Sequence, residues 1–352
     1  MKANVKIGMR GEYRAVVREA VYDDAGNFVG PGAVLRETPW GKNLITSVGF
    51  DKLLTMTSGA LLLTGVAGAG NTAPTEADTT LASYKGKCST QTIESSTFTS
   101  TPDGSGNIVW ERVFKCTFNP GAFGGSAVNI AEAAMAMDGA GAVNASTQVF
   151  SRGLLVDAFD APTTVSVGTT EYLELFWRYT RFIDAEKTFT MDFTLLGVAT
   201  STDVVMKPFK NDPSSDSFHR WWANSDGVQS DRIEHLVSAF YYAMGGNDNY
   251  NPYVYDGALQ AGFVTVPSGN KLALPGSSYA YSTYSTGSKN RTFTLTIAPS
   301  DGNLTAGIAA MTVQWGMSGY QMSFDPPIAK KAPSGSPDRY LRFEFNLAVA
   351  NV

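Results

Sequence analysis

A mostly β protein, with antiparallel sandwich layers, follows from three features of this sequence. First, four segments alternate larger apolar with polar residues: Arg112–Phe118, Glu171–Tyr179, Arg291–Ile297 and Tyr340–Leu347. A period of two with one polar face is what an antiparallel strand needs when one side faces a core. Second, the composition suits sheets and turns. Of 352 residues, 43% are hydrophobic, 12% aromatic and only 17% charged, and 35 are glycine; the usual charged share is roughly 25%. Third, helical spacing is scarce. It occurs at Phe50, Leu53 and Leu54, and at Arg232–Phe240, where Ser230 or Asp231 supplies a cap.

From the N-terminus, residues 12–40 read as an extended arm or hairpin. Glu12–Tyr22 is rich in strand formers, Asp23-Asp24-Ala25-Gly26-Asn27 is a turn signal, and Phe28-Val29 resumes the apolar run before Pro31 and Pro39. A short helix follows at Gly49–Leu54, and the Gly/Ala/Thr/Pro stretch 65–80 reads as a long loop. Residues 207–230, with Pro208, Pro213 and repeated Ser and Asp, read as a linker. Leu61-Leu62-Leu63 is far shorter than the roughly 20 apolar residues of a spanning helix. The first residues, Met1–Ile7, lack the apolar core of a secretory signal. A cytoplasmically made chain without membrane insertion is expected.

The same plan recurs along the chain. Asp51-Lys52-Leu53 is matched by Asp231-Arg232-Ile233, and Gly104-Ser105-Gly106-Asn107 by Gly287-Ser288-Lys289-Asn290. Ile130–Met135 is echoed by Ala306–Met311, Gln148-Val149-Phe150 by Gln321–Phe324, and Glu171–Phe176 by Arg339–Phe345. Five matches in one order predict two tandem, duplicated, jelly-roll-like sandwich domains. The boundaries expected are an arm at 1–47, domains at 48–206 and 231–352, and the linker between.

The charge balance, 27 basic against 32 acidic residues for a net −5, excludes a nucleic-acid binder held by a basic face. Two Cys cannot make a disulfide scaffold, and two His leave little for a metal site. Cys88 and Cys116 are expected as reduced, buried residues, a Cys88–Cys116 disulfide being the alternative. Motifs of serine hydrolases, phosphate loops and zinc proteases are missing, and Gly65–Gly70 does not meet dinucleotide spacing. His219 and His235 read as ordinary polar residues. Asp157 and Asp160 would suit a glycosidase pair or calcium ligands, but their setting beside Pro162 is that of a turn. Gly245–Asn251 likewise reads as a turn. No enzyme activity, cofactor or metal is expected.

Aromatic residues crowd the stretch containing Trp221, Trp222, Tyr241, Tyr242, Tyr250 and Tyr253. Such side chains suit core packing, a contact surface toward a neighbouring subunit, or stacking on sugars.

Two runs carry a resemblance: Trp40–Thr46 with Gly49–Leu53, and Gln148–Leu155 followed by the Thr-rich turn Pro162–Val167. With the ending Tyr320–Lys330 and Leu341–Phe343, they resemble tail and baseplate-type virion proteins of tailed bacteriophages. The resemblance implies a virion structural protein and does not fix head against tail; a non-enzymatic structural subunit at the tail tip, baseplate or fibre-attachment region is expected. Its partners would be other virion proteins, tail or connector subunits, in a symmetric homo-oligomer. Contacts would run through the arm (Tyr13, Val16, Val17, Trp40) and through Trp221, Trp222, Tyr241, Tyr242, Tyr250 and Tyr253. Deleting residues 1–40 is then expected to spare the folded domains and abolish assembly. The alternatives are a capsid decoration or head-fibre protein, and a module binding host surface glycans.

Overall fold

The fold was described from a computed structural model, which covers residues 2–55, 63–99, 102–137, 143–195, 198–209, 253–260, 267–274, 279–298, 304, 306–315, 318–329 and 341–352. These residues are mostly strand, as expected, with one helix. The first strands are β1 (Lys2–Tyr22), β2 (Phe28–Glu37) and β3 (Gly41–Ile45), followed by helix α1 (Ser47–Thr55), which buries Phe50, Leu53 and Leu54. Then come β4 (Leu63–Gly68), β5 (Tyr84–Lys87), β6 (Thr90–Thr99), β7 (Asn107–Phe118), β8 (Val128–Ile130), β9 (Glu132–Met137), β10 (Val149–Leu154), β11 (Val165–Val167) and β12 (Glu171–Asp184). A second set comprises β13 (Lys187–Leu195), β14 (Val198–Phe209), β15 (Tyr253–Tyr255), β16 (Lys271–Ala273), β17 (Tyr279–Tyr281), β18 (Asn290–Ile297), β19 (Ile308–Trp315), β20 (Ser318–Ile328) and β21 (Leu341–Asn351). The four alternating segments of the sequence are β7, β12, β18 and β21.

The N-terminal segment is not a free arm over most of its length. β1 is the hub of a 13-stranded sheet. β12 runs antiparallel along one edge from Ile7 to Glu19. The other edge is shared by β21 in parallel at Lys2–Met9, by β3 at Gly11–Tyr13 and by β2 from Val16 to Tyr22. The alternation explains this placement. Ala3, Val5, Ile7, Met9, Tyr13, Ala15 and Val17 form one apolar face, and all are buried. Tyr13 sits opposite Trp177, which stacks on Phe114 with centroids 5.2 Å apart and meets Phe150 edge-on at 6.1 Å. Each such aromatic pair adds about 0.5–1.5 kcal/mol beyond the area it buries. Deleting residues 1–40 would therefore remove the central strand and leave β12 and β21 without a partner between them, contrary to the expectation of intact domains.

The remaining large layer is a six-stranded sheet, β13-β14-β20-β19-β15-β16. Its inward side chains, among them Val204, Met206, Met311, Met322 and Phe324, join those of the large sheet in one continuous core. Strands from the 48–206 and 231–352 segments thus share both sheets, since β12 and β21 both pair with β1 and β20 lies beside β14. β14 also runs through Phe209, into the stretch expected as linker. Residues 210–252 lie outside the described residues, and the helix expected at 232–240 falls among them.

Strand pairing repeats between the halves. In the first, β4 pairs β5 and β9, β6 pairs β7, β9 pairs β10, and β7 pairs β12. In the second, β15 pairs β16 and β19, β17 pairs β18, β19 pairs β20, and β18 pairs β21. All ten pairings are antiparallel, in the same chain order. β10 also pairs β3, as β20 pairs β14. The turns that open β7 and β18 agree in detail. Gly106 has φ +80°, and its sequence match Lys289 has φ +52°, a left-handed conformation rare for a side-chain-bearing residue. The two carbonyls accept equivalent bonds, from Ala185 N–H at 2.9 Å and Val349 N–H at 3.0 Å.

The expected loop at 65–80 begins later than the sequence implied. Leu63–Gly68 is β4, a strand of small residues pressed between neighbours. A Cβ on Gly65 would lie 2.3 Å from Cys116 Sγ, so only glycine fits.

Candidate contact surface

Beyond Arg18, the β1–β2 hairpin leaves the core. Its turn is tied by Asp23, whose Oδ1 accepts the N–H groups of Ala25 (3.0 Å) and Asn27 (2.7 Å), while Asn27 Nδ2 donates to Oδ2. The Asn27 bonds hold the Asp23 carboxyl below its ordinary pKa. Among the described residues the outer edge of β2 has no strand beside it, and Pro31 together with three register irregularities interrupts the ladder that β2 forms with β1. Such an edge resists adding a foreign strand, so the hairpin offers side chains instead. Those side chains are apolar. Val21, Tyr22, Val29, Val34 and Leu35 are each at least 40% exposed, and make up five of the nine exposed large hydrophobic residues among those described.

The hairpin is held rigidly at its base. Arg14 pairs with Glu37 at 2.6 Å, Arg18 with buried Glu174 at 2.7 Å, and Arg36 with Glu171 while also donating to Ser166 O. Phe28 stacks on Tyr172 with centroids 5.4 Å apart, and Tyr22 meets Phe28 edge-on. The Glu171 carboxyl, which burial would raise, is lowered instead by the Arg36 guanidinium and the Gly168 N–H. Ordering an apolar tip in advance lowers the entropy cost of covering it.

The arm residues expected to make contacts have other duties. Tyr13, Val16 and Val17 are buried in this chain, with Tyr13 Oη 2.9 Å from Ser151 Oγ. Burial drives the Tyr13 phenol far above its ordinary pKa. They are packing residues because the strand alternation that suggested an arm also suits a central strand. Trp40 is half-buried beneath the Arg178 guanidinium, 4.2 Å from its ring centroid, and Arg178 also pairs with Glu12 at 2.9 Å. Tyr253 is half-buried on β15, with Lys271 Nζ 5.1 Å from its ring. Trp221, Trp222, Tyr241, Tyr242 and Tyr250 lie outside the described residues, as do His219, His235 and Gly245–Asn251.

Asp157 is occupied as a turn cap, its Oδ1 accepting Phe159 N–H at 2.8 Å and Ala161 N–H at 3.0 Å. Phe159, at the tip, is 89% exposed. Among the described residues no group of three or more His, Cys, Asp or Glu is placed to hold a metal, and no helix is long and apolar enough to cross a membrane. A groove of about 430 Å³ runs along Asn4, Lys6, Lys187, Asn290 and Asn346. Several of its polar groups are already joined: Asn346 Nδ2 donates to Asn4 Oδ1, Thr292 Oγ1 to Asn346 Oδ1, and Lys187 Nζ to the Asn4 carbonyl.

One further polar cluster is assembled only by the fold. Glu132, fully buried at the start of β9, accepts bonds from Gly70 N–H (2.9 Å), Ala82 N–H (3.2 Å), Ser83 N–H (2.7 Å) and Arg152 Nε (2.8 Å). Arg152 reaches on to Asp78 at 2.5 Å and to the Thr72 carbonyl at 2.8 Å. The cluster straps residues 69–83 across β9 and β10. A single acidic residue inside the apolar run Ile130–Met135 is the signal that marks it. No protein-family model, curated protein or solved structure matches the chain.

Proposed function

We propose that the chain is a non-enzymatic structural subunit of a tailed-bacteriophage virion, built from two duplicated β units and assembling through the tip of its β1–β2 hairpin. The observation that carries the assembly role is the concentration of Val21, Tyr22, Val29, Val34 and Leu35 on one pre-ordered projection. Exposed apolar side chains gathered in one place, rather than scattered, mark contact surfaces. A tip of this size buries less than the roughly 800 Å² per partner of a standard interface. Repetition supplies the rest, because a ring of copies each offering one tip gains affinity through multivalency. The virion setting, at the tail tip, baseplate or fibre-attachment region with tail or connector proteins as partners, rests on the resemblance of Trp40–Leu53, Gln148–Leu155 and the C-terminal segment. Duplication is supported by the repeated pairing of strands and by the matched turns at Gly106 and Lys289.

The test is a double substitution, Val29→Asp with Val34→Asp, which leaves the core untouched. Light scattering after size-exclusion chromatography should show the parent chain as a defined oligomer and the variant as a monomer of unchanged denaturation midpoint. In particles, the variant should be missing from purified tails. A variant that assembles and is incorporated normally would overturn the proposal.

A further inference from the structure

Two thiols meet behind β4. Cys116 is buried on β7, and Cys88, half-buried, sits at the corner between β5 and β6. They share a common neighbour, Gln91, whose Oε1 is 3.2 Å from Cys116 Sγ and 3.9 Å from Cys88 Sγ. The same Gln91 oxygen accepts Gly65 N–H at 3.0 Å. Gly65 keeps the space open, since a Cβ there would lie 2.3 Å from one sulfur and 3.6 Å from the other. Both sulfurs therefore occupy one small pocket on the same side of β4, at the base of the β6–β7 hairpin.

We propose that Cys88 and Cys116 are a redox pair that closes to an intrachain disulfide when a small disulfide oxidant is supplied. The inference does not rest on the assembly role. The more exposed Cys88 reacts first. Its thiolate attacks one sulfur of oxidised glutathione, forming a mixed disulfide and releasing one glutathione thiolate. The Cys116 thiolate then attacks Cys88 Sγ, and the second glutathione leaves. The two cysteines lose two protons and two electrons, and the oxidant becomes two molecules of glutathione. The order fits the local chemistry, because the neighbouring Cys116 thiol and the Lys87 ammonium draw the Cys88 thiol below its ordinary pKa, while Cys116 is held well above its own. In a reducing compartment the pair stays open, and in an oxidising one the bond pins the hairpin base to β7.

The experiment treats the native full-length chain with oxidised glutathione and reads free thiols, intact mass and melting temperature. Expected are loss of both thiols, a mass lower by about 2 Da for the two hydrogens removed, and a Tm raised by several degrees, all reversed by a dithiol reductant. The Cys88→Ser variant should retain one unreactive thiol and show no Tm shift. A glutathione adduct that persists on Cys88 with Cys116 still free, or retention of both thiols, would overturn the inference.

Discussion

The two halves of the molecule share a pairing plan but fill one position with opposite chemistry. At the start of β9 stands Glu132, fully buried and holding four hydrogen bonds; its sequence match at the start of β19 is Ile308, equally buried and wholly apolar. On the following strands the first half has Arg152 opposite Ala134, and the second has Ser323 opposite Ala310. The plan itself therefore does not require the ion pair. What differs is the neighbouring chain: in the first half, residues 69–83 cross the sheet and bring N–H groups that need acceptors. A carboxylate in a dry site is costly unless every lone pair is used, and here the loop uses them. Arg152 and Glu132 are best understood as the anchor of that loop rather than as a source of stability in their own right.

Breaking the anchor should have the largest effect. Glu132→Ala leaves the buried Arg152 guanidinium with Asp78 as its one remaining carboxylate and three buried N–H groups without an acceptor, so a loss of about 3–5 kcal/mol is expected in chemical denaturation. The companion change Ile308→Val removes one methyl from the equivalent apolar site, with an expected cost of about 0.5–1.5 kcal/mol. If both cost the same, the contrast between the halves fails. A related comparison concerns the paired turns. Gly106→Ala should cost about 1–2 kcal/mol, because its left-handed backbone disfavours a Cβ; the equivalent Lys289 bears that cost while pairing with Glu76 and lying 5.2 Å from the Phe50 ring centroid.

Acid should loosen the anchor gradually. Burial would raise the Asp78 carboxyl, but the Thr75 N–H and the Arg152 guanidinium outweigh it and the net shift is downward. A carboxylate with a depressed folded pKa contributes stability above its unfolded pKa, near 4, and loses it as pH falls through the folded value. Urea midpoints measured from pH 6 down to pH 2.5 should therefore fall more steeply for the parent than for Asp78→Asn. The smallest effect on stability belongs to the hairpin. Val34→Asp should change the denaturation free energy by no more than about 0.5 kcal/mol, as expected for a surface site, while altering the oligomer mass.

The strands were legible where alternation was strong. β7, β12, β18 and β21 each carry a clean period of two, and α1 was marked by Phe50, Leu53 and Leu54. The role of β1 was not legible, because an isolated sequence does not reveal that β12 and β21 flank a strand on its two edges. β4 was hidden by glycine and alanine, residues with weak strand preference that were placed there by Cys116 and Glu132 crowding from neighbouring strands. The contact surface was half legible. The turn at Asp23–Asn27 marks the hairpin end, yet the strand-forming run extends unbroken from Tyr13, Val16 and Val17, and burial depends on which part of a hairpin the sheet covers.

The parallel pairing of β21 with β1 joins residues 2–9 to residues 344–351. During synthesis, one edge of the earliest strand must then wait for the latest. At about 5–20 residues per second the interval is some tens of seconds. Throughout it, Ala3, Val5 and Ile7 present an unpaired, apolar strand edge to the cell, the kind of surface on which chains mispair. Yield on expression should therefore depend on how that edge is shielded while the polypeptide is still growing.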